Sequence, residues 1–165
     1  MLFRSVTKGH SYRTYDWDAA KALPEKLLAG YNLEDERKNV NIQKEHKEFH
    51  RLDLNDGWHT PEGYPSGIQH KILAGHLDEV NKTGTRTRLL RFAPGVFTTR
   101  PFIHEYWEEV YVISGDLIVG SDENGDNGVS YPEHSYACRP PGIYHGPFKS
   151  SHGCMLLEIH YYDSR

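Results

Sequence analysis

From about residue 66 the chain breaks into short apolar and β-branched runs, each cut off by glycine or proline. That punctuation is what most restricts the fold. The runs are Ile68 to Leu73, Arg86 to Ala93, Glu109 to Ile113, Leu117 to Val119, Tyr136 to Arg139 and Cys154 to Tyr162. Between them stand Pro94-Gly95, the turn Ser114-Gly115-Asp116, a polar glycine-rich stretch from Ser121 to Ser130, and Pro140-Pro141-Gly142. Short strands at this spacing, with turns between them, predict a sandwich or closed barrel. No internal repeat of fixed period is present.

The first 64 residues have a different texture and read as an N-terminal extension to a barrel covering 65–165. Asp16 to Leu28 has a helical apolar stripe, capped by Asp16 or Asp18 and closed by Gly30, with Pro24 as its start or a kink. Glu34 to Glu48 is mostly charged and reads as a solvated arm. A chain of 165 residues, 37% hydrophobic and 25% charged, can bury one core. Its 12% aromatic content, with 11 tyrosines, favours pleated surfaces. The net charge of −4 and the lack of a basic run argue against nucleic acid as a partner. No stretch approaches the roughly 18 apolar residues of a membrane span, and the first residues do not resemble a secretory leader. Cys138 and Cys154 are expected to be reduced thiols, and the protein is expected to be cytoplasmic.

Two segments carry chemistry. The first is Phe102-Ile103-His104-Glu105-Tyr106-Trp107-Glu108-Glu109-Val110, running on to Gly115, and the second is Pro140-Pro141-Gly142-Ile143-Tyr144-His145. Imidazole and carboxylate are standard ligands of divalent transition metals. The residues after Tyr106 are strand formers, so a bend near Tyr106-Trp107 followed by a strand is expected rather than a helix. The spacing is not that of a zinc-protease helix. Alternation along a strand allows only one of Glu108 and Glu109 to face inward. The rigid Pro140-Pro141-Gly142 turn presents His145 at a defined place. A site shared by His104 and His145 needs the fold to bring the two segments together.

These two segments resemble the paired motifs of the cupins. In the family pattern, His104 matches the second histidine of the first motif, Glu108 its glutamate and Gly115 its closing glycine. Pro140, Gly142 and His145 match the second motif. Thr85 to Gly95 and Ser151-His152-Gly153-Cys154 look most like the cupins related to the C-terminal domain of the ChrR anti-sigma factor. The resemblance spans about residues 65 to 162. It implies an all-β, double-stranded β-helix or jelly-roll barrel with a partly helical N-terminal extension. It also implies one divalent transition metal ion (Fe, Mn, Ni, Cu or Zn) held by His104, Glu108 and His145. The chain departs from the pattern at Phe102, which stands where the family has its first histidine, and His70 or His160 are the candidates to replace that ligand. Gly95 is displaced by one residue, and the usual asparagine after the last motif histidine is absent.

The function this resemblance implies is a metal-dependent enzyme, a dioxygenase, acting on an enolisable carbonyl or phenolic compound. Glu108, Tyr106 and Arg139 are its candidate catalytic residues. The alternatives are a non-redox decarboxylase, isomerase or cyclase, a metal-free epimerase-like barrel, or a ChrR-like sensor module. The zinc-binding spacing of an anti-sigma domain is missing from the N-terminal segment. The expected partner is a small-molecule substrate, with no nucleic acid and no membrane, and a homodimer is left open. His70 and His160 are otherwise expected to be ordinary barrel or surface histidines, and His134 to be exposed. At least two of Arg88, Arg91 and Arg139 are expected to face solvent. Tyr106 and Trp107 are expected either to wall a substrate or to pack the bend.

Overall fold

The computed structural model describes residues 44–163. The expected helix at Asp16 to Leu28 and most of the charged arm lie outside them. Seven antiparallel strands run in chain order: β1 (Ile68–Asp78), β2 (Thr83–Phe92), β3 (Trp107–Val119), β4 (Val129–Pro132), β5 (Tyr136–Arg139), β6 (Phe148–Lys149) and β7 (Cys154–Tyr161). The order of the main path is β1-β2-β7-β3-β4, with β5 and β6 also paired to β3. The fold is all-β and of the jelly-roll type. Among the described residues, no helix is long and apolar enough to cross a membrane.

The Ser114-Gly115-Asp116 segment is not the turn its sequence suggests. β3 passes straight through it, and the register slips by one residue between Val112 and Ser114 as a β-bulge. Gly115 takes φ +82°, and a Cβ there would collide with the Gly153 carbonyl. Glycine is required because the bulge presses β3 against the start of β7 while bending it. The bend lets one strand serve two sheets. Trp107 to Gly115 pairs with β7, and residues 108–111 also pair with β5, whereas Asp116 to Val119 pairs with β4 and β6. β4 and β6 were not foreseen: β4 lies at the edge of the polar stretch, with all four residues exposed, and β6 has two residues. Such strands carry too little apolar pattern to be seen without a partner strand.

The inner face of the barrel changes character along its length. On β2 the inward sequence runs Phe92, Leu90, Arg88, and on β7 it runs Cys154, Leu156, Glu158, His160. On β3 it runs Val112, Val110, Glu108. Registers align these rows: Phe92 faces Cys154, Leu90 faces Leu156, Arg88 faces Glu158 and Arg86 faces His160, while Val112 faces Leu156 and Glu108 faces His160. One end of the interior is therefore an apolar core completed by Ile68 and Leu117. The other end is lined with charge.

Residues before β1 lie along this sheet. His59 forms an antiparallel bridge with His70, and the Arg91 guanidinium sits 4.0 Å above the Trp58 ring. Trp58 Nε1 donates to Leu54 O at 2.8 Å.

Candidate metal centre

The two motif segments are joined by backbone hydrogen bonds. Phe102 and His145 exchange both of theirs, at 2.8 and 3.0 Å, and Gly142 N donates to His104 O at 2.8 Å. Gly142 has φ +80°, which the tight turn after Pro140-Pro141 requires. These bonds set His145 beside His104, their rings meeting edge-on at 4.7 Å. β3 begins three residues after His104 and carries Glu108 inward, while Glu109 faces out and accepts from the Tyr136 hydroxyl at 2.9 Å.

His104 Nε2 lies 3.7 Å and His145 Nε2 3.5 Å from Glu108 Oε2. All three side chains are nearly buried, at 9%, 7% and 8% exposure. The other ring nitrogen of each histidine faces a carbonyl of its own segment: His104 Nδ1 is 2.8 Å from Tyr106 O, and His145 Nδ1 is 2.9 Å from Ile143 O. A carbonyl can only accept, so both Nδ1 atoms carry a proton, and in the neutral rings both Nε2 atoms present lone pairs. Two lone pairs thus converge on a carboxylate oxygen, and His104 Nε2 is buried with no hydrogen-bond partner. Acceptors facing an acceptor in this way are accommodated by a cation between them. The donor set, two neutral imidazoles and one carboxylate, suits a divalent transition ion, so the residues present fit the metal that the resemblance implies.

Other charges surround this group. Arg139 NH1 donates to Glu108 Oε2 at 2.7 Å. Burial alone would raise the Glu108 pKa, but the His160 ring beside it and the charge of Arg139 outweigh it. The carboxyl is held well below its usual range. Burial lowers the pKa of His145 and of His160, which keeps both neutral. The Tyr106 ring stacks on His104 at 4.0 Å with a 3° interplanar angle, and burial pushes its hydroxyl pKa up. Trp107 points the other way, stacked on Tyr161, with Nε1 donating to Asp163 Oδ2 at 3.0 Å. Tyr106 therefore walls the cavity, and Trp107 does not.

Several expectations are corrected. Arg88 and Arg139 face inward, leaving Arg91 alone among the three on the outer side. Arg88 is 4% exposed and its Nε contacts Glu158 Oε2 at 2.5 Å, its register partner on β7. His160 is not an ordinary barrel histidine: it is fully buried, with Nε2 3.3 Å from Glu108 Oε1. His70 accepts from Arg88 NH1 at 3.3 Å and belongs neither to the group His104, Glu108 and His145 nor to a second group that could hold an ion, Glu108, Glu158 and His160. Phe102 borders the interior. Its ring stacks on Tyr64 at 5.0 Å and lies 6.0 Å from Phe148, forming one wall of a cavity of about 530 Å³. His134 is exposed, its Nδ1 2.7 Å from the Tyr111 hydroxyl.

Arg86, Glu158 and Tyr64 also line the cavity and were missed. A signal for the first two was present: Arg86-x-Arg88 and Glu158-x-His160 are polar pairs two apart in strands. Polar residues at that interval share a face with the apolar residues that continue it.

With this geometry in view, comparison with known proteins is decisive for the family. A model of the ChrR cupin-like domain matches residues 57–161. The chain belongs to that family. Solved cupin structures share its fold at low identity. An RmlC-like cupin from Shewanella frigidimarina NCIMB 400 is 16% identical, covers 74% of this chain and 96% of its own, and has a TM-score of 0.52. An acetylacetone dioxygenase from Acinetobacter johnsonii is 19% identical over 74% of this chain and 78% of its own, with a TM-score of 0.53. The polyketide cyclase RemF from Streptomyces resistomycificus is 19% identical over 70% and 81%, with a TM-score of 0.51. At these identities the likeness concerns the fold alone. Comparison with curated protein sequences gave no match. Within the ChrR cupin-like family this chain thus has a cavity that can hold a metal, and a phenylalanine in place of one motif histidine.

Proposed function

We propose that this ChrR cupin-like protein is a mononuclear metal-dependent enzyme acting on a small enolisable carbonyl or phenolic compound, and that the reaction is a dioxygenation. The observation that carries the reading is the convergence of the His104 and His145 Nε2 lone pairs on Glu108 within a cavity large enough for a small organic molecule. His104, His145 and Glu108 would hold the ion, and three ligands leave positions open for both substrate and dioxygen. The ion supplies Lewis-acid polarisation of the substrate oxygen and redox chemistry with dioxygen. Similarity of fold to a dioxygenase and to a cyclase is compatible with this reading but cannot choose between them.

The chain's own residues would do the rest. Arg139 balances the charge of Glu108 and fixes the orientation of its carboxylate. Tyr106 keeps its proton and offers a donor beside His104. The apolar end, with Leu90, Val110 and Leu156, and the aromatic wall of Tyr64, Phe102 and Phe148 exclude water and receive the body of the substrate. Such a cavity favours a molecule whose polar atoms are grouped at one end.

Elemental analysis of freshly purified protein tests the metal, and oxygen uptake with a panel of β-diketones and phenols tests the chemistry. Stoichiometric metal with substrate-dependent oxygen uptake is expected. Protein without metal would overturn the proposal. Turnover without oxygen uptake would move it to a non-redox cupin reaction.

A further inference from the structure

We propose that Arg86 and His160 are positioning residues for Glu108: Arg86 fixes the tautomer of His160 so that its Nε2–H faces the carboxylate and stays out of the ligand set. This deepens the metal-centre reading above and rests on it only for its affinity test. Arg86 Nε and NH2 lie 3.1 and 2.8 Å from His160 Nδ1. A guanidinium can only donate, so Nδ1 must accept and the ring proton sits on Nε2. Nε2 is 3.3 Å from Glu108 Oε1 and 3.6 Å from Glu158 Oε2, without a well-aligned bond to either. The ring has little freedom to leave. It is fully buried, it packs 4.9 Å from the Tyr106 ring, and its backbone carbonyl accepts from Thr85 Oγ1 at 2.9 Å.

The consequence is a division of labour among three histidines around Glu108. His104 and His145 are held with Nδ1–H by carbonyls, so that Nε2 is a lone pair. His160 is held the opposite way by an arginine, so that Nε2 is a donor. Glu108 then has one oxygen, Oε1, facing His160 and the other, Oε2, facing Arg139, His104 and His145. That asymmetry leaves Oε2 as the ligating atom and explains why a buried histidine 3.3 Å from the carboxylate does not replace the motif histidine lost at Phe102.

Long-range proton–nitrogen correlation spectra of the full-length chain, stripped of metal and labelled with nitrogen-15, read the tautomers directly. His160 is identified by the signals lost in His160→Gln. The expected result is Nε2–H at His160 with Nδ1–H at His104 and His145, and a mixture of tautomers at His160 in Arg86→Met. Nδ1–H at His160 in the native chain, or an unchanged pure tautomer in Arg86→Met, would overturn the proposal. In zinc titrations His160→Leu should weaken binding about 10- to 100-fold, as losses of such supporting bonds do. His160→Gln, which retains an amide donor, should restore most of that loss. Equal losses in both variants would refute the donor role. If the native chain takes up neither zinc nor any other divalent transition ion, the proposed function fails, and the tautomer spectra still decide this proposal.

Discussion

The motif segments and the strands β2 and β7 both send polar side chains into one cavity, but they hold them by different means. In the motif segments each histidine is braced within its own neighbourhood: His104 Nδ1 by Tyr106 O and His145 Nδ1 by Ile143 O, both two residues away. On β2 and β7 the bracing is between distant parts of the chain: Arg86 with His160 and Arg88 with Glu158, 74 and 70 residues apart. The first kind leaves lone pairs free for a ligand. In the second, Arg88 and Glu158 neutralise each other inside the barrel, where an unpaired ion would be costly, and Arg86 fixes the orientation of a neutral ring. The segments that offer ligands and the strands that keep the buried site balanced are therefore separable, and substitutions should separate them.

The largest effect is expected in the motif segments. His104→Ala and His145→Ala should each abolish metal uptake, read by elemental analysis, while the folded content measured by circular dichroism stays native. Full occupancy in both variants would mean that the motif histidines are not the ligands. On the strands the effect should fall on stability instead. Arg88→Ala leaves Glu158 buried without its partner and should destabilise the protein by about 3–5 kcal/mol in urea unfolding. Replacing both members with apolar residues of similar size, Arg88→Met with Glu158→Leu, should recover most of that loss. If Arg88→Ala unfolds no more easily than the native chain, the pair is not needed to offset buried charge.

Acid should act on both regions. Burial lowers the folded-state pKa of His145 and His160 below the ordinary 6.5. The unfolded chain therefore binds more protons just below that value, and stability rises with pH through the window. In the metal-free protein the unfolding free energy should be flat above about pH 6.5 and decline below it. Glu108, whose pKa is depressed, contributes stability above the ordinary carboxylate range and loses it only at much lower pH. Constant stability from pH 8 to pH 5 would contradict the burial of these neutral rings. A smaller contrast concerns the thiols. Cys138 is exposed, whereas Cys154 is buried in the apolar end with its pKa pushed up by burial to about 11. At pH 8 iodoacetamide should modify Cys138 alone in the native protein, with one adduct by mass spectrometry.

The family and the general fold were legible before any coordinates. Strand-length runs with glycine and proline between them indicated a β-sandwich or barrel, and the spacing of His104, Glu108, Gly115, Pro140, Gly142 and His145 resembled the cupins. Gly115 was visible as an irregularity but was misread as a turn. Within the local sequence a bulge that continues a strand and a turn that ends one look alike. The inward Arg88 was also misread, because an arginine in a strand faces solvent unless something distant pairs with it. Period-two alternation could have put Arg86, Arg88, Glu158 and His160 on shared faces, but it could not have matched them.

What the sequence by itself determined is therefore local: which residues alternate, where the backbone must bend, and which histidines have a carbonyl close enough along the chain to brace them. Only the tertiary structure decided the pairings, because register joins β2 to β7 and β7 to β3 across tens of residues. Register aligned Arg86 with His160, Arg88 with Glu158 and Glu108 with His160. A shift of one residue would turn every one of these side chains to the opposite face. The charge balance of the cavity, and the tautomer of its most buried histidine, follow from that alignment.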